Sequence, residues 1–295
     1  MRRTAKVGAG LVAVALLAGG GYLLAGRGGS ALTTTSYCEA VVDGSTARVG
    51  LDQAGNAAII AAVAVRRRLP ARAVSIALAT AYQESKIRNL SYGDRDSLGI
   101  FQQRPSQGWG TAAQVRDPYH ATGAFYDALQ RVDGYQSMPI HDAAQLVQHS
   151  ADGTAYAQHE QSARVLASAL TGYSPAAFRC RLQAPTPSGQ SPGPGGLTAE
   201  ARAVMRDVHR AFGALASGSA ASPAGTGLDF AVSGGDQQTG WALAHYLVAR
   251  ASALHVSTVI HDGRVWSAGS SVGGWQPYAP ASGTRYHDAV HVDVA

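Results

Sequence analysis

Two kinds of hydrophobic spacing divide this chain. Over its first half apolar residues recur at helical intervals, and in its last third helical runs alternate with strand-like ones. Val74, Ala77, Leu78 and Ala81 fall at i, i+3, i+4 and i+7 and predict a helix from Pro70 to about Ser85, with Pro70 at its start, where backbone donors go unpaired. An earlier helix is expected from Asp52, as N-cap, to Leu69, with Ile59, Ile60 and Val63 on one face. Asp117-Pro118 reads as an N-cap and a first-turn proline, opening a helix through Leu129 whose core face is Phe125, Tyr126 and Leu129. Two more helices are expected over Asp142 to His149 and Glu160 to Leu170. Between them Asn89 to Arg104 is rich in turn formers and reads as an irregular loop closing one wall of a groove.

After the uncharged Pro/Gly/Ser run of 183–196, an extended linker by composition, the pattern changes. Leu197 to Leu215 carries Val204, Val208 and Phe212 at helical spacing, Leu228 to Val232 reads as a strand, and Asp236 to Leu254 as a helix. Val256 to Trp266 reads as a hairpin turning at Asp262-Gly263, and Ala289 to Val294 as a last strand. The expected organisation is a mostly α domain over 38–182 and a smaller α+β domain over 197–295.

An apolar share of 46% against 15% charged residues excludes a disordered chain, and 295 residues suffice for two cores. The net charge of +5 favours an anionic wall or membrane surface as partner. That signal is diluted because Lys6 and Lys86 are the only lysines, so the arginine content can reflect genomic composition. No nucleic-acid partner and no cofactor are expected. Residues 1–29 place Arg2, Arg3 and Lys6 before an uncharged, mostly apolar run from Val7 to Gly26. About 20 such residues span a bilayer, and no A-x-A site ends the run, so an uncleaved membrane anchor is expected, with a cleaved signal peptide as the alternative. Either one exports the remainder, and in an oxidising compartment Cys38 and Cys180 are expected to pair.

Glu84 is the chief candidate for chemistry. It falls in the last turn of its predicted helix, where the negative end of the macrodipole disfavours a carboxylate by up to about 1 kcal/mol, and burial would act in the same direction. A protonated glutamic acid in a cleft is a general acid. The alternative for Glu84 is a surface pair with Lys86 or Arg88.

Fifteen positions after Glu84-Ser85 comes Gly99-Ile100-Phe101-Gln102. This arrangement resembles the lysozyme-like superfamily, in whose soluble lytic transglycosylases and goose-type lysozymes a Glu-Ser pair at a helix end precedes a Gly-Leu-Met-Gln segment at similar spacing. The resemblance covers roughly Leu51 to Cys180 and implies a lysozyme-like first domain, with Glu84 as the acid. It makes Ser85, Gly99, Ile100, Phe101 and Gln102 residues at the glycan groove. The chain departs from the family at Asp96-Ser97, where Gly-Ala is usual, and it lacks the later Ala-Tyr-Asn-Ala-Gly motif, for which Ala155-Tyr156-Ala157-Gln158 is the nearest counterpart. Gln148 and Tyr156 either reach the groove or pack the core. Asp94 and Asp96 either supply a second carboxylate or brace their loop against Arg88 and Arg95. The implied activity is cleavage of the bond between muramic acid and glucosamine in peptidoglycan, by hydrolysis or by attack of the muramic acid's own hydroxyl. A wall-binding protein without turnover is the alternative.

The second half faintly resembles zinc peptidases of the D-Ala-D-Ala carboxypeptidase type. Asp229 and His291 match two ligand positions of that family, whereas Ser222 and Ala289 stand where histidines belong. Catalytic zinc normally takes three protein ligands, so no tight zinc is expected unless His287, Asp288 or His261 compensates.

Overall fold

Tyr37–Val42 (β1) and Ser45–Val49 (β2) form an antiparallel hairpin, and the two residues between them decide its shape. Asp43 and Gly44 sit at φ 48° and 76°, the left-handed pair whose twist matches that of the flanking strands. Phe178–Arg181 (β3) joins the other edge of β1, giving a three-stranded sheet of order β2-β1-β3. Cys38 and Cys180 are direct cross-strand partners and form a disulfide, as expected from the sequence. Closing a loop across 142 residues is worth on the order of 4–5 kcal/mol in the chain-entropy model.

The computed structural model describes residues 36–148, 153–193, 195–270, 273–279 and 286–295. The proposed N-terminal anchor therefore lies outside the described residues. Among the described residues no helix is long and apolar enough to cross a membrane.

Leu51–Arg66 (α1) is alanine-rich and buried on nearly every face, because small side chains let three other helices approach it closely. Its N-cap is Gly50, not Asp52: the Gln53 side chain accepts a hydrogen bond from the Gly50 N–H at 2.8 Å. Ala71–Ser85 (α2) follows, capped by Pro70. Ala112–Val115 (α3) is a single turn, and Pro118–Leu129 (α4) starts as the sequence indicates, with Asp117 Oδ1 accepting from the Tyr119 N–H at 2.9 Å. Ile140–Gln148 (α5), a 3-10 segment over Gly153–His159 and Glu160–Leu170 (α6) complete the first half.

Ala199–Phe212 (α7) and Gln237–Leu254 (α8) belong to the second half, α8 with Asp236 as N-cap. Its strands are Ala216–Ala220 (β4), Gly227–Val232 (β5), Val256–His261 (β6), Arg264–Ser267 (β7), Gln276–Pro277 (β8) and Ala289–Val294 (β9). They form one antiparallel sheet of order β4-β5-β9-β6-β7-β8. Helix α8 packs on this sheet and also on α1, so apolar residues of both halves meet along it. Thr35–Ala295 is one compact unit. At its interior Asp207 of α7 accepts hydrogen bonds from Tyr119 of α4 at 3.2 Å and from Tyr246 of α8 at 2.6 Å, and pairs with Arg250 at 3.2 Å.

The fold class differs from the mostly α domain plus smaller α+β domain expected. Helix makes up 46% and strand 20%, with antiparallel sheets of three and six strands. The physical reason lies in short strands with weak patterns. Ala-Ser-Gly-Ser-Ala (β4) has no apolar alternation and is a strand only because β5 pairs with it, and the four residues of β3 are held by β1.

Candidate active site

Helix α2 ends in two consecutive left-handed residues, Lys86 and Ile87 at φ 56° and 57°, which let the Lys86 N–H reach the Tyr82 carbonyl and the Ile87 N–H reach that of Ala81. Left-handed backbone costs a non-glycine residue about 1–2 kcal/mol, and most for a β-branched one. Burial of the Ile87 side chain offsets it, as do two bonds from α1: the Gln53 amide donates to the Lys86 carbonyl at 2.7 Å and the Asn56 amide to that of Ile87 at 2.8 Å. Such strain, held by its surroundings, is common beside functional groups. Glu84 and Ser85 are the last residues before it.

The buried Ser85 hydroxyl donates to the Ile100 carbonyl at 2.7 Å and accepts from the Arg88 N–H at 3.1 Å, so it ties the helix end to the segment from Gly99 to Gln102. Gly99 has φ +79°, and a Cβ there would lie 2.1 Å from the Val115 carbonyl oxygen, so no other residue fits. Ile100 and Phe101 are fully buried, Phe101 stacked on Phe125 at 4.6 Å. Their side chains are core, not groove wall. What the segment offers the site is backbone: the Phe101 carbonyl accepts from the Gln148 amide at 2.8 Å. Gln102, at φ 48°, folds its amide back to the Gly99 carbonyl at 3.1 Å and braces the loop.

Glu84 itself is half-buried. The Tyr156 hydroxyl donates to its Oε1 at 2.8 Å, and the Gln148 side chain also hydrogen-bonds the carboxyl. Burial raises the Glu84 pKa above the usual carboxylate range, and the bonds from Tyr156 and Gln148 only partly oppose it. Among the described residues Glu84 makes no ion pair, and Arg88 turns instead to Asp52 at 3.7 Å. Glu84, Gln148 and Tyr156 are therefore brought together from α2, α5 and the 3-10 segment.

The loop aspartates are not part of that group. Asp96 is taken up by Arg104 at 2.8 Å and by the N–H and hydroxyl of Ser106 at 2.7 and 3.0 Å, which hold its carboxyl well below the usual range. Asp94 is exposed and lies 3.9 Å from Arg95. The partners of Asp96 differ from the Arg88 and Arg95 expected, but its bracing role is the same.

Three neighbours of the site, Tyr82, Gln83 and His159, were not singled out in the sequence. Tyr82 stacks on His159 at 5.3 Å, and Gln83 Oε1 accepts from His159 at 3.1 Å and from the Gln158 amide at 3.4 Å. These contacts clamp the 3-10 segment, and with it Tyr156, onto α2. The available signal was two large polar-capable side chains in an otherwise alanine-rich helix directly before Glu84.

The other half contains the match to a known family. Residues 193–289 match a family model described as VldE, C-terminal domain. No curated protein matches the chain. The VldE-type match covers α7, α8 and most of the six-stranded sheet, and it does not reach Glu84.

It includes Asp229 but stops just before His291. These two do meet: His291 Nδ1 lies 2.6 Å from Asp229 Oδ1, and its Nε2 lies 3.2 Å from Asp293 Oδ2. Burial pushes the imidazole pKa down, but the two aspartates more than offset it, leaving His291 above its ordinary range. With both ring nitrogens donating to carboxylates, none is left to bind a metal. His287 Nδ1 pairs with Asp262 at 2.6 Å and His261 Nδ1 lies 2.9 Å from the Ala289 carbonyl, which leaves the second ring nitrogen of each, and the buried Nε2 of His261 has no partner among the described residues. Among the described residues no group of three or more such side chains could hold a metal ion.

Proposed function

We propose that this chain is an exported, membrane-anchored or secreted enzyme that cleaves the glycan strands of peptidoglycan, with Glu84 as its single general acid. The observation carrying this reading is the half-buried Glu84 carboxyl, held by Tyr156 and Gln148 and, among the described residues, without a cationic partner. A carboxyl whose pKa is raised by burial keeps its proton nearer neutrality and can donate it to a glycosidic oxygen as the C1–O bond breaks. The resulting carboxylate then takes a proton from the group that attacks C1, either a water or the muramic acid's own hydroxyl. The second route needs no second carboxylate, and Asp96, one of the two loop candidates, is already engaged with Arg104. The disulfide between β1 and β3 fits an oxidising location outside the cytoplasm.

The test is digestion of purified peptidoglycan by the wild type and by Glu84→Gln, read by mass spectrometry of the released fragments. The expected loss is about 10²–10⁴-fold. Anhydro ends identify the intramolecular route and reducing ends identify hydrolysis. Equal release by both proteins removes Glu84 from the chemistry, and sedimentation with the wall without any release leaves a binding protein.

A further inference from the structure

A cavity of about 550 Å³ opens where the two halves meet, between the loop after α6, the first turn of α8 and the hairpin turn at Asp262. Its volume lies within the usual range for small-ligand sites. Gly172 at its edge has φ +80°, and a Cβ there would lie 1.9 Å from the Gln238 carbonyl oxygen, so the close approach that shapes the cavity is built into the backbone. The wall combines two aromatic rings with polar groups. Tyr173 is 58% exposed, and Trp241 is buried and backed edge-on by Trp275 at 5.1 Å.

The polar groups both accept and donate. Gln237 and Gln238 each give one amide hydrogen to a carbonyl, that of His287 at 2.5 Å and that of Thr171 at 3.2 Å, which leaves a second hydrogen on each amide, and their carbonyl oxygens have no donor among the described residues. Among the described lining residues Asp262 is the one carboxylate, and it already holds His287 at 2.6 Å. Neither lysine nor arginine is among the described lining residues, so an anionic peptide would meet Asp262 with no cation to balance its charge. A neutral ring with an apolar face and many hydroxyls, which both donate and accept, meets both demands.

We propose that this junction cavity is a saccharide-binding subsite in which Tyr173 stacks on a sugar ring and Gln237, Gln238 and Asp262 accept from its hydroxyls. The choice of sugar rests on the glycan reading of the Glu84 site, but the cavity shares no residue with that site. It would hold a stretch of strand away from the bond being cut.

The experiment titrates full-length Glu84→Gln, which does not turn over, with a neutral N-acetylglucosamine tetramer, using calorimetry and NMR. The same titration is run with Tyr173→Ala and Tyr173→Phe added, and with an anionic stem peptide as a second probe. Tyr173 is exposed, so its removal leaves the core intact. The expected result is a saccharide site that weakens about tenfold in Tyr173→Ala and is retained in Tyr173→Phe. Identical binding in all three proteins, or no binding at all, overturns the proposal, as does Tyr173-dependent binding of the peptide in place of the sugar. Tyr173-dependent saccharide binding by a protein whose wild type releases no glycan fragments would reject the enzymatic reading alone.

Discussion

The Tyr156 hydroxyl donates a 2.8 Å hydrogen bond to Glu84 Oε1, joining a residue of the 3-10 segment to the end of α2. Its electrostatic sign is opposite to that of burial. Burial disfavours the carboxylate, whereas a donor favours it, so Tyr156 holds the Glu84 pKa below the value burial alone would set. Tyr156→Phe removes the donor and keeps the ring. The basic limb of the pH–rate profile should then move to higher pH, as the acid retains its proton longer. A profile with the same basic limb in Tyr156→Phe and wild type would show that the bond does not tune the acid.

A raised pKa also has a consequence for stability. The folded state binds the Glu84 proton more tightly than the unfolded chain, so this residue's contribution is most favourable below its unfolded pKa and declines as pH rises through its folded pKa. Glu84→Gln cannot ionise and escapes that loss. Denaturant unfolding should find Glu84→Gln more stable than wild type at pH 7, with a smaller difference at pH 4. A variant less stable than wild type at pH 7 would mean that the carboxylate is favourably solvated and the burial argument wrong.

How legible the site was from the sequence differs from residue to residue. The end of α2 was readable because Val74, Ala77, Leu78 and Ala81 recur at one period and Pro70 marks the start, so Glu84 and Ser85 fall at the end by counting. The fate of Ile100 and Phe101 was not, because side-chain direction in an irregular loop has no period. Only the left-handed backbone at Gly99 and Gln102 turns those two side chains inward, and the carbonyl of Phe101 toward Gln148. The two hairpins make the same point about turns. Asp262-Gly263 is legible because β6 before it is mostly β-branched and Val265-Trp266 follow it, whereas the identical Asp43-Gly44 is followed by the small polar residues that begin Ser45–Val49. Tyr156 was found through its place in a diverged motif, yet its contact with Glu84 depends on the Tyr82–His159 stack, which joins residues 77 positions apart and leaves no local trace.

The loop from Gly99 to Gln102 should be sensitive to a single methyl group. Gly99→Ala would set its Cβ against the Val115 carbonyl at 2.1 Å and force an alanine to φ +79°. The expected destabilisation exceeds about 1 kcal/mol, because the strain and the clash act together. Since Ser85 binds the Ile100 carbonyl and Gln148 that of Phe101, activity should fall further than stability does. Thermal unfolding and glycan release measured side by side check this, and a Gly99→Ala protein with wild-type values in both would show that the loop gives way freely.

Asp207 tests whether the two halves stand or fall together. It accepts from Tyr119 in the first half and from Tyr246 in the second, and balances the partly buried Arg250. Tyr119, partly buried and beside this carboxylate, has its own pKa pushed up to about 12 and stays a donor throughout the neutral range. Asp207→Ala leaves the Arg250 guanidinium and two hydroxyls without their acceptor, at an expected loss of about 3 kcal/mol. Asp207→Asn keeps one acceptor oxygen and should lose less. Because α1 and α8 share apolar contacts beneath this network, the loss should appear as one cooperative transition. With Trp109→Phe as background, the remaining tryptophans 241, 266 and 275 report on the second half and on its seam with β3, where Trp266 and Trp275 donate to the Cys180 and Phe178 carbonyls, while far-UV circular dichroism reports on all helices. Coincident urea transitions by both probes, shifted together in Asp207→Ala, are expected. A fluorescence transition separated from the dichroism transition would mean that the halves unfold independently and that the Asp207 network joins two units which are each stable alone.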